Sequence, residues 1–137
     1  RGIGFLPDGS RAYVTNEVSG TVSVVDIAAK KTLKQLTMPD GARPMGIVVT
    51  PDGKRIYVSN GRGKSVSIID PATDSIVATA EVGARPWGIA LTGDGKKLYT
   101  ANGPGNDVSV VDAATLKVLK TIPAGSVPWG VAIGPRP

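Results

Sequence analysis

The chain of 137 residues contains no cysteine and no histidine. It therefore forms no disulfide, and it offers no thiol nucleophile, no imidazole base, no thiolate zinc site and no histidine ligand for haem. The oxygen ligands that remain, from carboxylates, amides, hydroxyls and the backbone, favour hard cations over transition metals. A chain without cysteine is compatible with the periplasm or the cell exterior, because disulfides are optional there.

Aromatic and charged residues give little support for binding to nucleic acid or to a membrane. The chain has one Phe, two Trp and three Tyr, and its net charge of +5 comes from scattered basic residues. Without a cluster of aromatic and basic side chains there is no stacking platform for nucleic-acid bases. No apolar run approaches the roughly 20 residues that a transmembrane helix needs. We therefore expect no nucleic-acid partner and no membrane span.

Glycine and proline, by contrast, are abundant, with 18 Gly and 11 Pro. Together with many Val and Ile residues, they predict an all-β protein rich in turns, and the length allows one domain or part of a larger one. The sequence begins at Arg1 rather than at Met. This beginning is compatible with the removal of an upstream segment such as a signal peptide.

An internal repeat dominates the sequence. Four sets of residues recur at spacings of 44 and then 42 positions, and a series of glycines extends the pattern by a further 42. Agreement between independent positions indicates repeated structural units. The recurring residues are Asp8, Asp52 and Asp94; Tyr13, Tyr57 and Tyr99; Asn16, Asn60 and Asn102; Asp26, Asp70 and Asp112; and Gly2, Gly46, Gly88 and Gly130.

Each unit is predicted to form four short antiparallel strands. An apolar strand follows a Pro-x-Gly sequence, an Asp-Gly turn leads to the second strand, and the third strand ends at a repeated Asp. Four strands in 42–44 residues are typical of one blade of a β-propeller. The predicted innermost strands cover 46–50, 88–92 and 130–133. We assign the chain to a single partial propeller domain with blade 1 at 1–44, blade 2 at 45–86, blade 3 at 87–128 and an extra inner strand at 129–137.

Short motifs in the repeat resemble a known family. Residues 13–16 read YVTN, residues 57–60 and 99–102 read YVSN and YTAN, and each unit carries a V-S-[VI]-[VI]-D segment, which in the second unit extends to S-V-S-I-I-D. With the P-[MW]-G-[IV] segments, these motifs resemble the YVTN family of β-propeller repeats over essentially the whole chain. The resemblance implies a ring of about seven blades. It also implies a place in the periplasm or at the cell surface, because the family includes archaeal surface-layer proteins and periplasmic proteins of quinone-dependent alcohol oxidation.

Three blades and one strand do not close such a ring. We therefore expect either a fragment of a larger propeller or two copies that complete each other. In the second case the chain is a homo-oligomer, most simply a dimer, that associates through the apolar blade faces left open at its two ends.

The repeated Asp26, Asp70 and Asp112 have two interpretations. A ring of carboxylates is suited to metal binding or to acid–base chemistry, whereas an Asp at the end of a strand caps the following turn by accepting backbone N–H bonds. Recurrence in every blade favours the turn cap. No calcium-loop motif occurs, so we predict neither a metal site nor a cofactor in this chain.

Two groups of residues are candidates for ligand binding. The repeated Asn side chains either hydrogen-bond within the loop that follows them or contact a ligand on that face. In the blade layout of the family, a basic and aromatic group lies where the innermost strands begin, at the rim of the central channel. It either packs between adjacent blades or forms a funnel for an anionic or flat ligand. The candidates are Asn16, Asn60 and Asn102, together with Arg43, Met45, Arg85, Trp87 and Trp129.

The function predicted from these residues is that of a non-catalytic binding or scaffold propeller outside the cytoplasm, which presents its loops to a protein partner or a small ligand. The usual catalytic residues are missing apart from carboxylates and hydroxyls, which favours a protein that is not an enzyme. The alternative is a fragment or subunit of a periplasmic redox enzyme, dependent on a quinone or on haem, whose cofactor ligands lie outside this chain.

Overall fold

The computed structural model describes residues 1–134, which form three four-stranded antiparallel sheets and two single turns of 3-10 helix at Pro39–Gly41 and Gly103–Gly105. Blade 1 contains β1 (Ile3–Phe5), β2 (Arg11–Asn16), β3 (Thr21–Asp26) and β4 (Lys31–Thr37). Blade 2 contains β5 (Pro44–Val49), β6 (Ile56–Asn60), β7 (Ser65–Asp70) and β8 (Ser75–Glu81). Blade 3 contains β9 (Pro86–Leu91), β10 (Lys97–Asn102), β11 (Asp107–Asp112) and β12 (Val118–Pro123).

The strands of every sheet pair in the order of the chain, so each blade is an antiparallel meander. This confirms the predicted all-β fold of four-stranded antiparallel blades. Two inner strands begin two residues before the predicted 46–50 and 88–92, at Pro44 and Pro86. The difference arises because a proline, which has no N–H to donate, is tolerated at the first position of a strand. Within residues 1–134, no helix is long and apolar enough to cross a membrane.

Neighbouring blades pack face to face around two apolar clusters. Blade 2 is covered on both faces, and every residue of β6 is buried as a result. The first cluster includes Tyr13, Val22 and Val24 of blade 1 with Ile56, Val58 and Ile69 of blade 2. The second includes Tyr57, Val66 and Ile68 of blade 2 with Leu98, Val111 and Leu116 of blade 3.

Repeated glycines let successive inner strands approach each other closely. A Cβ atom placed on Gly46 would lie 2.8 Å from Ile89 Cγ2 and 3.1 Å from the backbone oxygen of Trp87. A Cβ atom on Gly88 would lie 2.8 Å from the Cα of Gly130. Real Cβ atoms essentially never come within 3.0 Å of another atom and rarely within 3.4 Å, so a larger residue at either glycine would shift its neighbours in the following repeat. The glycine periodicity of the sequence therefore follows from the packing of one blade on the next.

Tyrosine hydroxyls also join the blades. The hydroxyl of Tyr13 donates to Asp74 Oδ1 of blade 2 at 2.5 Å, and Arg11 Nη1 donates to the other oxygen of that carboxylate at 2.7 Å. The hydroxyl of Tyr57 donates instead to the backbone oxygen of Ala113 in blade 3 at 2.8 Å. The same residue of the repeat thus reaches into the following blade by two different routes, one charged and one neutral.

The hydrogen bond between Tyr13 and Asp74 predicts that the folded protein becomes less stable at alkaline pH. Burial, followed by the hydrogen bond to Asp74, raises the pKa of Tyr13 well above its ordinary value of 10.0. Above pH 10 the unfolded chain therefore releases a proton that the folded chain keeps, so the free energy of unfolding falls as the pH rises through this range. Urea unfolding between pH 8 and pH 11 should show this fall in the wild type and a smaller one in Tyr13→Phe. Tyr99→Phe, on the open face of blade 3, is the control and should behave like the wild type; an equal fall in Tyr13→Phe contradicts the prediction.

Each outer strand carries a β-bulge at the same point of the repeat. In blade 1, Val24 pairs with Lys34 and Val25 pairs with Thr32, so that Leu33 is left between the two pairs. The corresponding bulge residues of blades 2 and 3 are Val77 and Leu119. All three side chains are exposed, at 48%, 57% and 55% of their surface. A bulge interrupts the hydrogen-bonding ladder of an edge strand.

The predicted extra inner strand at 129–137 is not a strand over residues 129–134, and residues 135–137 lie outside the described part of the chain. A strand needs a hydrogen-bonded partner, and β10 already pairs with β9 and β11 on its two sides. Gly130 nevertheless lies against Gly88, just as the inner strand of each blade lies against the one before. Its role as the first strand of a further blade stays a prediction.

Candidate functional site

The upper rim is defined here as the edge of the arc where the inner strands β1, β5 and β9 begin. Antiparallel pairing brings the ends of β2, β6 and β10 to the same edge, as the pairing of Pro44 with Asn60 and of Pro86 with Asn102 shows. The lower rim is the opposite edge, which carries the Asp-Gly hairpins and the turns that follow the repeated Asp. All of the predicted binding residues belong to the upper rim.

The repeated Asn side chains brace the hairpins of the upper rim. Each Nδ2 donates to the residues five and seven positions later, which start the next strand. In Asn60 the acceptors are Ser65 Oγ at 3.0 Å and Ser67 Oγ at 2.7 Å. Asn60 and Asn102 are completely buried, whereas Asn16 is half-buried. The predicted hydrogen bonds within the hairpin are therefore present, and a role of these amides in ligand binding stays a prediction.

Met45 and Trp87 occupy the same position in blades 2 and 3, and each packs on a glycine of its own blade. A Cβ atom on Gly61 would lie 2.6 Å from Met45 Sδ, and one on Gly103 would lie 2.3 Å from the ring of Trp87. For these side chains the sequence predicts packing between blades or a ligand funnel, and a contact within one blade was not among the expectations. The signal was available, because in both repeats the glycine follows 16 residues after the large side chain.

Trp87 also contacts Trp129, and Arg85 lies over its ring. The centroids of the two indole rings are 4.8 Å apart with an interplanar angle of 45°. The guanidinium carbon of Arg85 is 5.6 Å from the centroid of the Trp87 ring, which is within the range of a cation–π interaction. Trp129 is 62% exposed and Arg85 is exposed. The structure thus brings three of the predicted residues together in an exposed cationic and aromatic corner.

The backbone around this corner is held by the neighbouring hairpins. Arg85 adopts a left-handed conformation with a φ of 53°, which is uncommon for a residue other than glycine. Its backbone oxygen accepts a hydrogen bond from Gly103 N–H at 3.3 Å. In blade 2 the backbone oxygen of Arg43 accepts the equivalent bond from Gly61 N–H at 2.8 Å. The loops therefore fix where the two arginine side chains leave the backbone. Arg43 is half-buried, whereas Arg85 is exposed.

The repeated carboxylates of the lower rim cap turns, as predicted. Each accepts backbone N–H groups two or three residues later, and these bonds lower the pKa of Asp112 below its ordinary value, with Thr115 the main donor. The distances are 2.7 Å from Ala29 N to Asp26, 2.8 Å from Ala72 N to Asp70 and 2.8 Å from Thr115 N to Asp112. Among residues 1–134, no three acidic residues form a cluster suited to a metal ion.

Three consecutive four-stranded meanders, stacked face to face with their inner strands side by side, define a β-propeller. The chain belongs to the family described as "Lactonase, 7-bladed beta-propeller", whose family model matches residues 1–131. This confirms that the repeats are propeller blades, and it does not confirm the YVTN family that the motifs suggested.

Solved structures with the same fold include two larger proteins. Hydrazine synthase of Kuenenia stuttgartiensis is 28% identical, with a TM-score of 0.86 over 94% of this chain. A putative 6-phosphogluconolactonase from Bacteroides uniformis ATCC 8492 is 24% identical, with a TM-score of 0.80 over 92% of this chain. The chain spans 37% and 40% of the lengths of these two proteins. No curated protein sequence matches the chain.

The family match corrects the prediction of a non-catalytic binding or scaffold module. That prediction depended on the absence of histidine and cysteine, yet the chain belongs to a family of propellers described as lactonases. The inference was wrong because the loops of a propeller converge on one channel, so an active site can draw its residues from several blades. The alternative of a periplasmic redox enzyme is not the function that the family match favours.

Proposed function

We propose that the chain supplies three consecutive blades of a seven-bladed propeller that hydrolyses lactones, and that its upper rim forms part of the substrate site. The observation that carries this proposal is the match of the lactonase family model to residues 1–131. The fold shared with a putative 6-phosphogluconolactonase agrees with it. The chain spans less than half of the length of each of the two similar structures. The proposal therefore includes further blades that complete the ring.

The chemistry of a lactone suits the corner formed by Arg85 and Trp87. A lactone is a cyclic ester with a flat ester group, and its ring can lie against an indole face while polar groups point away. Attack of water on the carbonyl carbon places negative charge on the carbonyl oxygen before the ring C–O bond breaks and a hydroxycarboxylate is released. A guanidinium next to the ring can stabilise that charge. With no histidine in the chain, the base that activates the water is a carboxylate or comes from another blade.

A hydrolysis assay with matched arginine variants tests this proposal. The full protein is incubated with glucono-δ-lactone and with 6-phosphogluconolactone, and acid release is followed in a pH-stat. We expect Arg85→Ala to lower kcat/KM by about 10- to 1,000-fold, because it removes a charge that stabilises the transition state. Trp87→Ala should mainly raise KM, because stacking contributes to substrate and transition state alike.

Arg62→Ala is the control for this assay. Arg62 is an exposed arginine in the hairpin loop between β6 and β7, on the same rim, and its removal changes the net charge by the same amount. We expect its kcat/KM to stay within a factor of about two of the wild type. Hydrolysis of both lactones at the uncatalysed rate would contradict the proposed activity. Equal losses in Arg85→Ala and Arg62→Ala would contradict the site.

In a seven-bladed ring, the blade faces that this chain leaves exposed would pack on neighbouring blades. Ile3 and Phe5 of blade 1 are 53% and 56% exposed, on the face that would meet a preceding blade. In the proposed ring, further blades cover these faces, and a second copy of the chain is not required. Self-association through open blade edges and a location in the periplasm or at the cell surface remain predictions.

A further inference from the structure

The interface between blades 1 and 2 shows how this repeat binds a carboxylate. The carboxylate of Asp74 receives a hydrogen bond from Arg11 Nη1 at 2.7 Å and another from the Tyr13 hydroxyl at 2.5 Å. The Arg11 and Asp74 side chains are only 26% and 19% exposed, so the ion pair is partly shielded from water. A carboxylate placed on an arginine in this way is bound by charge as well as by hydrogen bonds.

The interface between blades 2 and 3 repeats the arginine but not the carboxylate. Arg55 and Tyr57 follow Arg11 and Tyr13 by 44 positions, whereas Leu116 stands 42 positions after Asp74. Leu116 is buried in the second apolar cluster, and the Tyr57 hydroxyl is bound to a backbone oxygen. Arg55 is exposed, and no salt bridge joins it to a carboxylate of residues 1–134. The Arg55 guanidinium can therefore pair with a carboxylate that residues 1–134 do not supply.

A groove next to Arg55 offers room for such a ligand. Its volume is about 510 Å³, and it runs along the lower rim between the Asp-Gly hairpins of blades 2 and 3. Lys54 and Arg55 line the side formed by blade 2, and Gly93, Asp94 and Ala114 line the side formed by blade 3. A volume of this size is within the range of small-molecule sites. The guanidinium of Arg55 offers a charged partner to an anionic group there, and the small residues Gly93 and Ala114 leave its approach open.

Two carboxylates of the groove, those of Asp52 and Asp94, narrow the class of ligand. Asp52 lines the same groove, and its Oδ1 accepts hydrogen bonds from the Thr50 hydroxyl at 2.6 Å and from Lys54 N–H at 3.0 Å. These bonds lower the pKa of Asp52, with the Thr50 bond contributing most. A ligand that carried only negative charge would be repelled by this carboxylate. A ligand with hydroxyl groups beside its own carboxylate can donate hydrogen bonds to Asp52 while it binds Arg55.

We propose that the lower-rim groove between blades 2 and 3 binds a small hydroxycarboxylate, with its carboxylate on Arg55 and its hydroxyl groups towards Asp52. The groove lies on the edge of the blades opposite to the corner of Arg85 and Trp87. The proposal therefore does not depend on the proposed lactonase activity. Lys54 contributes positive charge at the same end of the groove as Arg55.

Calorimetric titration of the full protein with sodium gluconate tests this proposal. We expect saturable binding with a dissociation constant in the millimolar range, which is typical of one charge-assisted contact on an open surface. Arg55→Gln should weaken gluconate binding by about tenfold or more. Lys97→Gln is the matched control, because Lys97 occupies the same position in blade 3 and does not line the groove, and it should bind as the wild type does. Acetate, without hydroxyl groups, and glucose, without a carboxylate, should each bind more weakly than gluconate.

Three results would overturn the proposal. The first is the absence of saturable gluconate binding, and the second is unchanged binding in Arg55→Gln. The third is loss of gluconate binding in Arg85→Ala but not in Arg55→Gln, which would place the ligand on the upper rim. Because Arg55 is exposed, Arg55→Gln should fold like the wild type, and a thermal unfolding curve checks this before the titration.

Discussion

Replacement of Gly46 by alanine is expected to lower the free energy of unfolding by about 1–3 kcal/mol. The new Cβ atom would lie 2.8 Å from Ile89 Cγ2, 3.0 Å from Ser59 Oγ and 3.1 Å from the backbone oxygen of Trp87. Side chains can yield at such a contact, but the backbone oxygen belongs to β9 and moves only if blade 3 moves. Urea unfolding followed by circular dichroism measures the change. Gly46→Val should cost more than Gly46→Ala, because its branches add further overlap.

Gly93→Ala is the control for this experiment. Gly93 has no atom within 4 Å of an added Cβ and is not one of the glycines with a positive φ, so alanine meets neither a clash nor backbone strain there. Its effect should be within about 0.5 kcal/mol of zero, as for most surface substitutions. If Gly46→Ala were as stable as Gly93→Ala, the inner strands would not be in the close contact described above.

Asn102→Ala is expected to cost about 2–3 kcal/mol, because a buried donor or acceptor that loses its partner keeps its full desolvation penalty. Asn102 is completely buried. Its amide donates to Asp107 Oδ1 at 2.6 Å and to Ser109 Oγ at 2.8 Å, and its oxygen accepts from Thr100 Oγ1 at 2.9 Å. Alanine removes all three bonds at once. Denaturant unfolding at neutral pH gives the free energy directly.

Asn16→Ala is the comparison for Asn102→Ala. Asn16 occupies the same position in blade 1, is only half-buried, and donates two hydrogen bonds, to Thr21 Oγ1 at 3.1 Å and to Ser23 Oγ at 2.8 Å. Since water reaches this hairpin, its loss should cost about 1 kcal/mol. Equal losses in the free energy of unfolding at the two positions would show that burial does not determine the effect of the missing hydrogen bonds. If Asn102→Ala left the free energy of unfolding unchanged, the hydrogen bonds of Asn102 would not stabilise the fold, and the result would favour a role of its amide in ligand binding.

The repeat made most of the fold predictable from the sequence. The spacing of Tyr13, Tyr57 and Tyr99 indicated three blades, and the strands predicted within these blades match the observed ones to within about two residues. The further strand predicted at 130–133 is not formed. The bracing role of the Asn residues and the turn caps of the Asp residues also followed, because both interactions are local and obey spacing along the chain. Local hydrogen bonds are the part of a structure that a single sequence shows best.

Contacts between blades were harder to predict. Tyr13 and Tyr57 are equivalent in sequence, yet one binds the side chain of Asp74 and the other the backbone of Ala113, 61 and 56 residues away. A partner at such a distance depends on how two sheets are positioned against each other, and the repeat pattern alone does not give that geometry. The contact of Trp87 with Gly103 was missed although its spacing was visible. The prediction of a non-catalytic module was wrong because a propeller can build a site from several blades, whereas composition counts only the residues of one chain segment.

The bulges on β4, β8 and β12 hinder the addition of strands at the outer edges of the blades. Further sheets therefore add by packing on the open faces of the terminal blades. The hydrogen-bonding ladder of the three outer strands is interrupted once in each strand, at Leu33, Val77 and Leu119 respectively. A strand from another molecule that paired with such an edge would lose part of its hydrogen bonds. The faces of the blades have no such barrier, because their packing on a neighbour is what the repeat specifies. Duplication or loss of whole repeats would therefore lengthen or shorten the row of blades, while each blade keeps its four strands.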